Sequence, residues 1–132
     1  MNTGKKQILI IDDDPNIRML LDFVLRKRYD VVAEEDGMLG MTWLTAGNIP
    51  DLIIADVEMP RINGYEFLKG IRESGFFRDI PVVMLSGHES ADVKIKCIQQ
   101  GADEYCIKPF NPEDILKKIG KVLNHASKRS HA

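Results

Sequence analysis

The strongest constraint in this chain is a repeated change of period. Five short runs are apolar at every position, and each is followed by a longer segment in which apolar residues return every three or four places. The runs are Ile8-Leu9-Ile10-Ile11, Val31-Val32-Ala33, Leu52-Ile53-Ile54-Ala55, Val82-Val83-Met84-Leu85 and Tyr105-Cys106-Ile107. Runs this short and this uniformly apolar suit strands buried on both faces, as in a parallel sheet with helices above and below.

Between the runs, the first helix has the clearest stripe, formed by Ile17, Leu20, Leu21, Val24 and Leu25. The last is marked by Ile115, Ile119 and Val122. Pro112 stands where a first helical turn tolerates it, Glu113 and Asp114 lie near the positive end, and Lys117, Lys118 and Lys121 follow. Weaker helical segments cover about Gly37 to Thr45, Gly64 to Ser74 and Ser90 to Gln100. Strand then helix, repeated five times, is an α/β pattern. With short right-handed crossovers it predicts a flavodoxin-like, doubly wound parallel sheet of five strands in the order 2-1-3-4-5, with helices on both faces.

At 132 residues the sequence has room for one domain of ordinary size. We expect residues 1–5 to be an N-terminal extension, 6–124 the domain and 125–132 a flexible tail. The tail contains no start of a second domain, which favours a stand-alone protein over a piece of a longer one. Twenty acidic residues against eighteen basic ones give a net charge of -2, so direct nucleic-acid binding is not expected. No apolar stretch approaches a membrane span, and no cleavable leader is apparent, so the chain reads as cytoplasmic. Cys97 and Cys106 are too few and too far apart for a zinc or redox pair and read as small buried apolar residues.

In an open α/β sheet the ligand site lies beyond the carboxyl ends of the strands, where strand order reverses. Here the first run ends in Asp12-Asp13-Asp14, the third in Asp56, the fourth in Ser86 and the fifth in Lys108-Pro109. An N-cap followed by Pro15 explains one aspartate, not three. Clustered carboxylates at about 4 Å repel by several kcal/mol, so bringing Asp56 up to Asp12 and Asp13 requires a cation or a raised pKa. An all-oxygen, partly hydrated site of this kind suits Mg²⁺, or Mn²⁺ in its place. Lys108 at the same edge can pair with Asp56 when the site is empty and with a phosphoryl oxygen when it is filled, and Ser86 can add a hydroxyl hydrogen bond.

The motifs Ile8-Leu9-Ile10-Ile11-Asp12-Asp13-Asp14-Pro15, Asp56-Val57-Glu58-Met59-Pro60-Arg61-Ile62-Asn63-Gly64, Leu85-Ser86-Gly87 and Lys108-Pro109-Phe110 resemble, in order, those of the receiver domains of two-component response regulators, the chemotaxis-regulator type included. The resemblance runs from Lys6 to Leu123. That family has the same 2-1-3-4-5 order, so the predicted topology does not stand on periodicity alone. The resemblance implies that Asp56 is the phosphoacceptor, served by a sensor histidine kinase or a histidine phosphotransfer protein. Asp13 and Asp56 are then direct metal ligands, Asp12 a ligand through water, and the Glu58 backbone carbonyl the third protein ligand. It makes Ser86 the switch hydroxyl, Lys108 the phosphate-pairing lysine and Tyr105 the aromatic that reports phosphorylation to a downstream protein, through the surface of the fourth helix, fifth strand and fifth helix. Glu58 and His88 occupy the positions that tune phosphoryl lifetime. The Lys108-Pro109 bond is expected to be cis, and Asn63-Gly64 to form the turn before the third helix, with glycine supplying backbone freedom. On the first helix, Met19 and Phe23 lie off the core stripe and offer a docking patch for the phosphodonor. A monomer or a phosphorylation-dependent dimer is expected. The domain counts as a phosphoacceptor that promotes its own phosphorylation and dephosphorylation, not as an enzyme acting on other substrates.

Three rival classes share part of this pattern. A haloacid-dehalogenase-like phosphatase shares an aspartate nucleophile, Lys and Mg²⁺, but its nucleophile closes the first strand and it needs a cap for which no chain remains. A flavodoxin would have a Ser/Thr/Gly-rich phosphate loop in place of the aspartates. A degenerate receiver acting only as a binding module would have lost one of Asp12, Asp13, Asp56, Ser86 or Lys108, and none is lost.

Overall fold

A computed structural model describes residues 4–87 and 91–130, and the side chains of all of these except 127–130. Strands and helices alternate: β1 (Gln7–Ile11), α1 (Pro15–Leu25), β2 (Asp30–Glu34), α2 (Gly37–Thr45), β3 (Leu52–Asp56), α3 (Gly64–Glu73), β4 (Val82–Ser86), α4 (Ala91–Gln99), β5 (Glu104–Ile107) and α5 (Pro112–Ser130). The five strands form one parallel sheet in the order β2-β1-β3-β4-β5, the order expected from the βα alternation together with the receiver resemblance.

Alternate residues along each strand feed two separate cores, because side chains in a strand point to opposite faces. On one face Leu9, Ile11, Ile53, Ala55, Val82 and Met84 pack with Leu44 of α2, Phe67, Leu68 and Ile71 of α3 and Cys97 of α4. On the other, Ile8, Ile10, Leu52, Ile54, Val83 and Leu85 meet Leu21 and Leu25 of α1 and Ile115, Ile119 and Val122 of α5. Burial of β3 and β4 is complete along their length. β2 departs from the expected full burial: Val31 and Val32 are half-buried and Ala33 is exposed. The reason is its place at the sheet edge, where one flank has no neighbouring strand. Both cysteines are buried and unpaired, and burial pushes the Cys106 thiol up to about 11 and raises that of Cys97.

Two helices differ from expectation. Leu20 of α1 is 40% exposed: at roughly 100° per residue it lies about 120° round the helix from the midpoint of Leu21 and Leu25. α5 runs on to Ser130, through residues expected to be a flexible tail from 125. Neither Gly nor Pro follows Gly120, so no strong helix breaker interrupts the last turns.

At the edge of the sheet opposite the strand carboxyl ends, Arg72 of α3 ties three segments together. Its guanidinium donates to the carbonyls of Gly101 (2.9 Å), Arg78 (3.0 Å) and Ile80 (2.6 Å) and to Asp103 Oδ2 (2.9 Å), which also accepts from the Val82 amide (2.8 Å). Arg72→Met is expected to cost about 2–4 kcal/mol in urea denaturation, because a part-buried carboxylate loses its countercharge and the part-buried carbonyls of Gly101 and Ile80 lose a donor. Arg72→Lys should recover less than half of that, since an ammonium cannot reproduce the fork; a full recovery would show that charge alone matters here.

Candidate functional site

Sheet register levels the polar strand ends. Ile11 pairs with Ala55, so Asp12 stands beside Asp56; Asp56 pairs with Leu85, and Ser86 with Ile107, so Ser86 and Lys108 follow one step beyond. Asp12 is 0% and Asp56 4% exposed, Ser86 is buried, and Asp13 is exposed. One carboxylate oxygen from each of Asp12, Asp13 and Asp56 lies within 4.8 Å of the others.

Lys108 closes the cluster. Its Nζ lies 2.9 Å from Asp12 Oδ2 and 3.2 Å from Asp56 Oδ2, and its backbone N–H donates to the Ser86 carbonyl at 2.7 Å. The peptide bond from Lys108 to Pro109 is cis, as expected. Burial by itself lowers the pKa of this ammonium, but hydrogen bonding to Asp12 and the charges of Asp56 and Asp12 outweigh it, so Lys108 is pushed above the ordinary lysine value. Burial and the neighbouring Asp12 raise Asp56 from 3.8 to about 6, against the opposing pull of Lys108 and a 3.3 Å hydrogen bond from the Glu58 amide to Asp56 Oδ1.

This is an arrangement short of positive charge. Among the described residues, Asp12 Oδ2 is a buried oxygen with no well-aligned hydrogen-bond donor, its charge compensated by Lys108 alongside. Two buried carboxylates and an exposed third around a single lysine, together with a carboxyl of raised affinity for protons, fit a small hard divalent cation with oxygen ligands. Among the described residues, Asp12, Asp13 and Asp56 form the carboxylate group able to hold it.

The loops are held by local bonds. Asp14 caps α1, its Oδ1 accepting from the Asn16 amide at 2.8 Å, with Pro15 in the first turn; this is the role that a proline-preceding aspartate suggests. Asn63 and Glu66 form a reciprocal capping box at the start of α3. Gly64 is the first residue of that helix, and its reason differs from the one expected. The left-handed residue in this loop is Arg61 (φ 68°), not the glycine. A Cβ on Gly64 would collide with the Asp56 carbonyl oxygen and lie 2.7 Å from Val57 Cα and Met84 Cε, so glycine is required by close approach rather than by backbone freedom.

Of the remaining expected site residues, Tyr105 is buried on β5 and its carbonyl accepts from Lys118 Nζ at 3.2 Å. Glu58 is exposed immediately beyond β3. His88 lies outside the described residues. Met19 and Phe23 of α1 are 66% and 64% exposed, with Lys27 Nζ 5.7 Å from the centroid of the Phe23 ring.

Two features escaped sequence reasoning. Asp36 is buried, caps α2 through the Leu39 amide (2.8 Å), and faces Arg61 at 3.7 Å. Arg18 donates from Nη1 to the Asp12 carbonyl at 2.7 Å. A cation in the first turn of a helix opposes the helix dipole, and that anomaly is the signal in the sequence that could have pointed to Arg18.

Comparison with known proteins agrees with the geometry. Residues 8–120 match the response regulator receiver domain family. The chain is 32% identical over 128 residues to the phosphate regulon transcriptional regulatory protein PhoB of Escherichia coli, covering 92% of this chain and 53% of PhoB. It is 35% identical over 121 residues to histidine kinase P4 of Formosa agariphila, covering 92% of this chain and 9% of the kinase. The chain thus spans about half the length of the first of these relatives and less than a tenth of the second. Among solved structures, the chemotaxis protein CheY4 of Vibrio cholerae superposes with a TM-score of 0.83 at 32% identity, covering 89% of this chain and 98% of CheY4. No helix among the described residues is long and apolar enough to cross a membrane. With its motifs, sheet order and strand-end cluster all in accord, the chain belongs to the response regulator receiver domain family.

Proposed function

We propose that this domain accepts a phosphoryl group on Asp56 from a phosphohistidine of a sensor histidine kinase or histidine phosphotransfer protein, and that the modification alters its surface toward a downstream protein. The observation that supports this most is the placing of Lys108 across Asp12 and Asp56 at one sheet edge. It leaves an ammonium ready to exchange a carboxylate partner for a phosphoryl oxygen.

Transfer is a displacement at phosphorus: a carboxylate oxygen of Asp56 forms the new P–O bond as the P–N bond to the donor imidazole breaks, and the donor ring, already protonated on its other nitrogen, takes the P–N electron pair and leaves as neutral imidazole. Such a step asks of the protein mainly position and positive charge. Asp13 and Asp56 would hold Mg²⁺ or Mn²⁺ directly, with Asp12 through water and the Glu58 carbonyl as a further ligand; the metal would offset charge on the phosphoryl oxygens. Lys108 neutralises a second oxygen and Ser86 donates to a third. Drawing the Ser86 hydroxyl inward frees space beside Tyr105, whose ring then biases the α4-β5-α5 surface. Glu58, exposed beside Asp56, is placed to influence a water that attacks the phosphoaspartate, and we assign His88 the same role on the motif alone. The exposed Met19 and Phe23 face of α1 is the docking surface for the phosphodonor. We take the domain to span residues 6–124 and to work in the cytoplasm.

Incubation with acetyl phosphate should label the protein in Mg²⁺ and not in EDTA, with the mark mapping to Asp56 by reductive trapping and peptide analysis. Labelling at another residue, or equal labelling in EDTA, would sink the assignment.

A further inference from the structure

One side chain outside the carboxylate–lysine cluster reaches into its backbone. Arg18, half-buried in the first turn of α1, donates from Nη1 to the carbonyl of Asp12 at 2.7 Å. The rest of Asp12 is tied separately: its amide donates to the Glu34 carbonyl at 3.2 Å, and its Oδ1 accepts from the Asp14 amide at 2.9 Å. The Asp12 carbonyl belongs to the peptide that joins Asp12 to Asp13. A rotation of that peptide would leave the buried Asp12 carboxylate in place and swing the exposed Asp13 away from Asp56.

We propose that Arg18 is a positioning residue for the cation site, holding the Asp12–Asp13 peptide so that both carboxylates converge on Asp56. The inference rests on the reading of that cluster as a Mg²⁺ site. Charge-assisted hydrogen bonds to a carbonyl are short and directional, and partners one shell out from a metal orient the groups that bind it. The location supports a dedicated role. A cation near a helix N-terminus is disfavoured by the helix dipole, and here the guanidinium is turned back onto a loop carbonyl.

The rival role for Arg18 is that of a counter-charge to three crowded aspartates. The two roles predict opposite signs. Removing a nearby positive charge strengthens the pull of the cluster on a dication, whereas releasing the peptide weakens it.

Mg²⁺ titrated calorimetrically into the full 132-residue chain reads that sign directly. Arg18→Met should raise the Kd about tenfold, and Arg18→Lys, which keeps the charge and one donor, should fall between it and the parent. Asp22→Ala removes the partner of Arg26 on the same helix and should leave the Kd unchanged, showing that a weakened α1 does not by itself disturb the site. Thermal midpoints in EDTA run alongside, because a merely structural Arg18 would lower the midpoint and leave the Kd where it was. An Arg18→Met protein that binds Mg²⁺ as well as the parent or more tightly overturns the proposal. If that variant does not fold, Arg18→Gln is read by the same sign. Should the parent chain bind no Mg²⁺, the site reading and this inference fall together; normal binding by parent and variant alike overturns the inference alone.

Discussion

Replacing Asp56 with Asn is expected to abolish acetyl-phosphate labelling and, in EDTA, to make the protein more stable at about pH 7 by about 1–3 kcal/mol. Labelling is lost because the amide offers no nucleophilic carboxylate. The gain in stability follows from the raised acidity constant. Asp56 titrates at 3.8 in its ordinary state and at about 6 in the fold, so the fold disfavours its ionised form. Below about pH 4 the carboxyl is protonated in both folded and unfolded chains, and the two proteins should be equally stable. As pH rises toward 6 the unfolded chain ionises first, and the parent loses about 1.4 kcal/mol per unit relative to the variant. Above about pH 6 the gap is constant. Saturating Mg²⁺ should stabilise the parent and not the variant, closing the gap from the other side. Urea denaturation with and without metal, at several pH values, checks each part. A gap that does not depend on pH would mean that burial and Asp12 do not hold Asp56 as described.

Among the glycine-to-alanine changes, Gly64→Ala should be the most damaging. The added carbon collides with the Asp56 carbonyl oxygen and presses on Val57 Cα and Met84 Cε, and two of these three atoms are backbone. Neither side yields easily: Gly64 N–H is bonded to the Val57 carbonyl at 2.8 Å, and Val57 N–H to the Leu85 carbonyl at 2.8 Å. Overpacking of this kind costs about 1–3 kcal/mol and sometimes more. Because the strain falls on the peptide that carries Asp56, labelling should also slow in the fraction that remains folded. Gly120→Ala is the matched control. No neighbour stands within 4 Å of its Cβ position, so it should stabilise α5 by about 1 kcal/mol. Equal effects at the two glycines, measured by denaturation midpoints, would refute the close-approach argument.

Much of the fold was legible because it rests on local period. The β1 run Ile8 to Ile11 and the α5 stripe Ile115, Ile119 and Val122 each announce their own structure, and right-handed crossovers leave few ways to assemble five such units. Leu20 and Ala33 depart from expectation for different reasons: Leu20 lies well round the helix from Leu21 and Leu25, and Ala33 stands on an edge strand that one flank leaves uncovered. The site was legible as a list of strand ends. Its couplings were not.

By itself, the sequence determined the α/β alternation and the polar strand ends Asp12, Asp13, Asp56, Ser86 and Lys108, since these depend on residue type and spacing within single elements, while the sheet order was read with the help of the family resemblance. Only the tertiary structure decided that Lys108 bridges two carboxylates, that Asp56 is pushed up to about 6, that Gly64 is glycine for want of space and that Arg18 reaches the Asp12 carbonyl. Each of these depends on distances across neighbouring strands and helices, which are set by sheet register and packing, and on the exclusion of water, which no single segment possesses before the layers close.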